Sequence, residues 1–546
     1  MQIHEYTWRI LSVLALHNPT HNAMWLLSSL QKKQSKNLSI TGYLKVYNYK
    51  LGKINMTVSN FFKKAILLLV LTRFTFYISA QEYPRAILRG DYPDPSIMRD
   101  GDDFYMTHSP FTYSPGFLIW HSKDLFNWKP ITRAMPDLVG SAMAPDLLKH
   151  NGKYYIYFPA KQTNWVIWAN DIRGPWSKPI DLKVPFIDPG HAVGEDGKRY
   201  LFVSEGRMAP LSDDGLSATD TLKEVYNGWD YPKDWITECK CLESPKVFRK
   251  GDYFYMVTAE GGTAGPATSH MVIVARSKSI HGSWENSPYN PIVHTYSPDE
   301  KWWSKGHGTL IDDAKGNWWI VYHAYEKGYH NLGRYTLIEP IEWTEDGWFK
   351  ASKGNGNEVK ISSSGFSLSD NFNKETLGLQ WTSWKGYDTN AIQLKKGRLD
   401  LKAKGTNPTD AQLLLTTVPD TAYKAQVELT LTGGSTGGLI LFYNEKAFAG
   451  ITSDGKDVTI YDNAEIRTNK SVELGKHFYL KIKNNRNICD MFASKDGKNW
   501  ITLRTGLDVS GLNHNKYRGF FALRPGFISA GEGTVLLDNF KYKLIK

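Results

Sequence analysis

The sequence predicts an all-β protein, a five-bladed β-propeller followed by a β-sandwich, and three observations carry that prediction. A glycine turn that feeds a mostly apolar, aromatic-rich strand occurs five times, at Gly101, Gly152-Lys-Tyr-Tyr-Ile-Tyr-Phe158, Gly197-Lys-Arg-Tyr-Leu-Phe-Val203, Gly251-Asp-Tyr-Phe-Tyr-Met-Val257 and Gly316-Asn-Trp-Trp-Ile-Val-Tyr322. These glycines lie 51, 45, 54 and 65 residues apart, close to the length of one four-stranded propeller blade. Between them run further short strands, such as Phe117–His121 and Val272–Arg276, and no long amphipathic helix pattern, which favours an all-β array over a βα barrel. From Asp370 onward the pattern changes to strands separated by Gly, Asn and Asp turns, the pattern of a sandwich.

Taken in order, the chain starts with a basic stretch. Of the formal net charge of +11, residues 1–80 hold +9, with ten Lys and Arg against Glu5 alone, which leaves +2 for residues 81–546. So small a surplus does not support a phosphate-binding surface, and no nucleic-acid partner is expected. Lys63-Lys64 precede the apolar run Ala65–Leu71, and the segment ends at Ser79-Ala80-Gln81. This reads as a secretory signal over 56–80, cleaved after Ala80, with Met56 as its natural start and residues 1–55 as an upstream extension that the fold does not need. The run is short for a membrane span, so the mature chain is expected to be exported to a periplasm or the exterior without an integral membrane domain. The propeller is expected over 83–350, with Arg334–Trp343 as the strand that closes its last blade. A polar linker follows over 351–365, and the sandwich occupies 366–546. The three cysteines give no disulfide scaffold: Cys239 and Cys241 are separated only by Lys240, a poor span for a mutual bridge, and Cys489 is distant.

Three acids stand beside short rigid motifs in different repeats. Asp94 lies between Pro93 and Pro95, Asp146 follows Ala144-Pro145, and Glu243 opens Glu243-Ser-Pro-Lys246. The proline rings restrict the local backbone and aim each carboxylate. Inner strands of a propeller converge on its axis, so acids at equivalent blade positions can share one pocket. Glycoside hydrolysis needs such a set, with one carboxylate to activate water and one carboxylic acid to protonate the departing oxygen. A third carboxylate can orient the acid and raise its pKa by like-charge repulsion. Taken singly, an acid-proline turn is more often structural; the recurrence is what points to chemistry.

The ordered series Asp91-Tyr-Pro-Asp-Pro-Ser-Ile97, Ala144-Pro-Asp-Leu147, Glu243-Ser-Pro-Lys246 and Lys305-Gly-His-Gly-Thr309 resembles the motifs of family 43 glycoside hydrolases, over roughly residues 83–350. Asp370-Asn-Phe-Asn373 with Leu377-Gly-Leu-Gln-Trp381 resembles the opening of the concanavalin A-like sandwich appended to many β-xylosidases of that family. The resemblance implies an inverting mechanism with Asp94 as general base, Glu243 as general acid and Asp146 as the acid that tunes and orients Glu243. It makes Arg334 a sugar contact, with a salt bridge closing the propeller as its structural alternative. It also makes His307 an axial residue beside a calcium ion held through waters, although calcium prefers oxygen ligands. No organic cofactor is implied. Phe117, Trp120 and Trp165 are candidate sugar platforms that core packing would use equally well. Met143 stands where many relatives carry tryptophan, so the sugar is not transferable from the motif alone. Ser114-Pro-Gly116 and Gly206–Pro210 read as pocket loops, and Trp381 and Trp384 as the sandwich's contribution to pocket shape. The expected activity is exo-hydrolysis of xylosides or L-arabinofuranosides in oligo- or polysaccharides. A catalytically dead carbohydrate-binding propeller, an endo-acting arabinanase or xylanase and a protein-interaction propeller are the alternatives.

Overall fold

The computed structural model describes residues 83–137, 139–352 and 366–545. The upstream extension, the signal segment and linker residues 353–365 lie outside the described residues. Five antiparallel sheets form the propeller. The first strands of the five blades are Ser96–Asp100, Asp146–His150, Gly190–Val193, Glu243–Lys250 and Trp302–Asp312. Neighbouring first strands pack against one another around the axis. Each repeated glycine sits in the turn after its blade's first strand with positive φ, from +61° to +81°, a conformation that glycine adopts at little cost. At Asn151-Gly152 both residues have φ > 0, which is the type I′ turn whose twist matches a hairpin.

The aromatic strands are explained by what covers them. In the second blade's strand Lys153–Ala160, Tyr155 and Tyr157 pack with Leu201 and Val203 of the third blade, while Ile156 and Phe158 pack with Phe117 and Ile119 of the first. Alternate side chains therefore serve two different inter-blade layers, and the strand reads as nearly continuous apolar sequence because both of its faces are buried. The same division repeats at Phe202 and Met256 between blades three and four, and at Val257 and Tyr322 between four and five. Ile338 and Ile97 join five to one.

Arg334–Trp343 is the third strand of the last blade, not its closing edge. Arg85–Leu88, from the start of the propeller, pairs antiparallel along it, with Arg85 opposite Ile338. The propeller's first and last strands thus meet in one sheet, and the ring is tied without leaving that edge open.

The sandwich consists of an eight-stranded and a seven-stranded sheet. Their facing side chains, among them Leu399, Leu429, Leu441, Leu480, Phe527 and Leu537, form one core. The outermost strand of the eight-stranded sheet is Tyr113–Ser114, contributed by the first blade, with Ser383 opposite Ser114 and Trp384 opposite Tyr113. Ser114-Pro-Gly116 is therefore a seam between the domains rather than a pocket loop. Gly206–Pro210 is mostly strand, over Arg207–Pro210 in the third blade, and Arg207 at its start lines a cavity that Glu243 also lines. Cys239 and Cys241 form a disulfide with Cα atoms 5.3 Å apart, which corrects the expectation drawn from their spacing. Positive φ at Glu238 and Cys241 folds the three-residue segment back on itself and brings the thiols together. Cys489 is free and buried. Among the described residues no helix is long and apolar enough to cross a membrane.

Candidate active site

The first strands deliver acids and imidazoles to the axis. Asp94 lies two residues before the first blade's opening strand, and Asp188 lies two residues before the third's. Each precedes a proline and has positive φ, +54° and +58°, so the same backbone device is used twice. Asp146 and Glu243 are the first residues of their strands, and His307 lies within the fifth.

Asp94 is buried, and both its oxygens are held. Oδ1 accepts from Arg334 Nη1 at 2.6 Å and lies 3.0 Å from His323 Nδ1. Oδ2 accepts from the Ser109 hydroxyl, which itself accepts the Ala144 N–H at 2.6 Å. Burial alone would raise this carboxyl's pKa, but the Arg334 guanidinium, with His307 and His323, holds it well below the usual carboxylate range. Asp94 is thus an ionised carboxylate.

Glu243 has the opposite environment. Burial raises its pKa, the hydrogen bond with His307 opposes that, and the charges of Asp188 and Asp94 add to the rise. His307 lies between the acids, with Nε2 3.1 Å from Glu243 Oε1 and 3.3 Å from Asp188 Oδ2, and Nδ1 3.7 Å from Asp94 Oδ1. Burial alone would lower its pKa, yet the facing carboxylates of Asp94 and Asp188 push it up to about 10. Two acids of opposite protonation tendency therefore lie on opposite nitrogens of one cationic imidazole.

Three imidazoles cluster at this point, with His307 and His323 rings 5.0 Å apart and His270 and His323 rings 5.4 Å apart. Gly306 makes room for them, since a Cβ there would lie 1.8 Å from His270 Cδ2. That accounts for the first glycine of Lys305-Gly-His-Gly-Thr309.

A cavity of about 550 Å³ opens over Asp94, Asp188, Glu243, His307 and Arg334. Phe111, Met143, the disulfide and Gly262–Ala264 form part of its wall, and the sandwich adds His514, Arg518, Gly519, Phe520 and Phe521. Arg334 lies 5.4 Å from the Phe520 ring centroid. The sandwich segment is fixed by a short helix, His514–Tyr517, capped by Asn513, and by the Phe520 N–H donating to His514 Nδ1 at 3.0 Å.

The expected residues divide clearly. Asp94, Glu243, Arg334, His307 and Met143 meet at the cavity. Asp146 has its carboxylate occupied elsewhere: Oδ1 by Lys246 Nζ at 2.8 Å and Oδ2 by the His191 N–H at 2.7 Å. Phe117 and Trp120 are both 0% exposed, packed on Phe158 and on Tyr92 respectively. They are core residues and offer no face to a sugar. Trp165 donates its indole N–H to Ala160 O in the layer between blades one and two. Trp381 is buried in the sandwich core and Trp384 packs on Tyr113, so the sandwich reaches the pocket through 514–521 instead. Asp188, His270 and His323 were not singled out from the sequence. Asp188-Pro189, shortly before a repeat glycine, carries the same signal as Asp94-Pro95.

A model of glycosyl hydrolases family 43 matches residues 83–349, and one of the β-xylosidase C-terminal concanavalin A-like domain matches 369–535. A non-reducing end α-L-arabinofuranosidase of Bacteroides ovatus is 31% identical over 366 residues, covering 61% of this chain and 67% of that protein. The chain belongs to glycoside hydrolase family 43. A xylosidase/arabinosidase of Butyrivibrio fibrisolvens is 34% identical over 295 residues, 50% of this chain and 56% of that protein. The chain spans little more than half the length of this second relative. A family 43 protein of Bacillus licheniformis has a solved structure with TM-score 0.76 at 27% identity, covering 85% of this chain and all of that one. As a family 43 member with its acid cluster in place, the chain is a glycoside hydrolase whose partner is an oligo- or polysaccharide.

Two sets of side chains in the family 43 site have ligand atoms close enough to share a metal ion: Asp94, His307 and His323, and Glu243, His270 and His307. Their chemistry does not suit calcium, which takes six to eight oxygen ligands. Each set offers one carboxylate and two imidazoles. In the first, the Asp94 carboxylate is already paired with Arg334, Nη1 lying 2.6 Å from Oδ1.

Proposed function

We propose that this chain is an inverting, exo-acting glycoside hydrolase that releases xylose or L-arabinofuranose from the non-reducing ends of plant-type saccharides. The observation that carries the reading is the pair Asp94 and Glu243, one held ionised and the other pushed toward its protonated form, facing a single cavity across His307. An inverting pair needs about 6.5–9.5 Å between its carboxyl groups, room for a water beside the sugar. Two contacts and the width of one imidazole ring are in keeping with a separation of that order.

In this reading Asp94 takes a proton from the water as its oxygen bonds to the anomeric carbon. Glu243 gives its proton to the glycosidic oxygen as that carbon–oxygen bond breaks. The proton on Asp94 then passes to solvent, and Glu243 regains one from solvent. Arg334, His323 and Ser109 hold Asp94 in place, and Asp188 takes the tuning role, because its charge raises the pKa of Glu243 while Asp146 is engaged by Lys246. The names of the two curated relatives support xylose or arabinose as the released sugar. The sandwich wall over the cavity supports exo action, because a closed end admits only a chain terminus. The basic, apolar run before Gln81 supports export, to be checked by mass spectrometry of the mature N-terminus; a chain retained in the cytosol with residues 56–80 intact would refute it.

The test is turnover of 4-nitrophenyl β-D-xyloside, 4-nitrophenyl α-L-arabinofuranoside and the corresponding oligosaccharides, with the released anomer read by NMR. Glu243-dependent release of one monosaccharide with inverted configuration is expected. Retained configuration would refute the mechanism, and sugar binding without release would favour a non-catalytic propeller.

A further inference from the structure

We infer that the Cys239–Cys241 disulfide positions the general acid, so that Glu243 reaches its leaving group only while this bond is intact. The inference rests on the proposed roles of Asp94 and Glu243. The two acids are placed by different means. Asp94 is fixed through its side chain, by Arg334, His323 and Ser109. The Glu243 carboxylate has one hydrogen bond among the described residues, with His307 at 3.1 Å, so its position depends on the backbone that carries it. That backbone is irregular. Glu243 pairs with Ala259, but the register shifts before Lys246, and Ser244 between them has φ of +56°. The regular ladder begins only at Lys246, and Glu243 is held from the other side by the segment that precedes it.

That segment is left-handed at Glu238 and Cys241, with φ of +60° and +42°, a conformation that residues other than glycine seldom adopt. The disulfide encloses Lys240 alone and ties the two turns together. The closed loop is seated on the fourth blade. The Gly261 N–H donates to Lys240 O at 2.8 Å, and the Gly262 N–H and the Ser269 hydroxyl donate to Thr237 O at 3.0 and 2.7 Å. Only Leu242 separates Cys241 from Glu243, so a change of backbone angle at Cys241 is carried directly to the acid. Both cysteines line the cavity that Asp94 and Glu243 face, and Cys241 is exposed, which leaves the bond open to a small thiol. Reduction by a dithiol breaks the S–S bond with two electrons and two protons, leaving two thiols on the protein and a disulfide on the reductant. Cys241 is then free to return to extended backbone. Glu243 moves away from the glycosidic oxygen, while Asp94, anchored elsewhere, stays.

The experiment measures kcat and KM on a disaccharide, whose departing oxygen must be protonated, and on the 2,4-dinitrophenyl glycoside of the same terminal sugar, whose leaving group needs no proton, in both the β-1,4-xylo and α-1,5-arabino series. Wild-type protein is assayed oxidised and after dithiothreitol, beside the double variant Cys239→Ser/Cys241→Ser, with the state of the bond read by mass spectrometry after alkylation. Reduced protein and variant should lose about 10²-fold in kcat on the disaccharide, the cost of misplacing a reacting group by about 1 Å, and less than about threefold on the dinitrophenyl glycoside, with its KM unchanged. Reoxidation should restore the reduced wild type and not the variant. Should the variant fail to fold, reduction of the folded wild type carries the comparison. Equal losses on both substrates, the mark of a bond that only stabilises the fold, or full disaccharide turnover with both thiols free, would overturn the inference while leaving the hydrolase reading intact. Absence of turnover by the oxidised wild type on every substrate would overturn both.

Discussion

Asp91 Oδ2 accepts from Arg524 Nη2 at 3.0 Å, a pairing of residues 433 positions apart that joins the motif carrying the base to the core of the sandwich. The Asp91 side chain is 0% exposed and that of Arg524 is 7%. Arg524 also lies 3.5 Å from the centroid of the Tyr113 ring, in the strand that the propeller lends to the sandwich. One residue after Asp91, the Tyr92 N–H donates to Arg334 O at 2.9 Å, so the same turn meets the arginine that holds Asp94. The sandwich is thus part of the active-site scaffold.

Arg524→Met is expected to destabilise the protein by about 3–5 kcal/mol, the cost of leaving one member of a buried ion pair without its partner. Burial already raises the Asp91 pKa against the pull of Arg524, so removing the arginine drives this carboxyl toward its neutral form. Denaturant unfolding of Arg524→Met, Asp91→Asn and the double variant checks the pairing. The double variant should recover much of the loss, and strictly additive losses would show that the two residues do not act together.

The opposed environments of Asp94 and Glu243 give the pH profile a definite form. The base works only when ionised, so kcat/KM falls as pH drops through the Asp94 value, which lies well below the usual carboxylate range. The acid works only when protonated, so kcat/KM falls as pH rises through the Glu243 value, which lies above its usual one. A bell is expected whose alkaline limb disappears in Glu243→Gln. That variant should lose about 10²–10⁴-fold on oligosaccharides, the usual contribution of a positioned acid. It should lose far less on 2,4-dinitrophenyl glycosides, whose leaving group needs no proton. An alkaline limb that survives in Glu243→Gln would remove this residue from the acid role.

Asp188 and Asp146 can be told apart by the same profile. Asp188 adds to the raised pKa of Glu243 through its charge, so Asp188→Asn should move the alkaline limb to lower pH as well as reduce the rate. Asp146 pairs with Lys246 at 2.8 Å, and Lys246 also donates to the carbonyls of Pro145 and Pro189. Asp146→Asn should therefore cost stability and leave the limb in place. A limb moved by Asp146→Asn and not by Asp188→Asn would reverse the assignment.

How much of this was legible in the sequence follows from which interactions are local. The five glycine turns were readable because a positive-φ turn and a strand buried on both faces leave a local signature. The acids beside prolines were readable for the same reason, and Asp188 carried that mark as plainly as Asp94. Trp120 and Phe117 misled because a ring that fills an inter-blade layer and a ring that faces a sugar have identical sequence. Arg85–Leu88 as the edge of the last blade and Tyr113–Ser114 as the edge of the sandwich were illegible. Both are short, and each pairs with a strand more than two hundred residues away. The Cys239–Cys241 bridge depends on positive φ at Glu238 and Cys241, which neither residue type announces.

Phe520 gives the sharpest test of the sandwich's part in catalysis. It has φ of +56°, its ring lies 3.8 Å from that of His514, and the Arg334 guanidinium lies 5.4 Å from its centroid. Removing the ring admits water beside a guanidinium whose hold on Asp94 depends on a low local dielectric. Phe520→Ala should therefore lower kcat/KM by about tenfold or more, through a higher KM from the opened pocket and an acid limb moved to higher pH as Arg334 holds Asp94 less strongly. Thermal unfolding should change little, because the residue lies in a loop at the cavity and not in the sandwich core. A variant with unaltered KM and an unmoved acid limb would show that the propeller alone makes the pocket, and that the sandwich acts only through the Asp91–Arg524 seam.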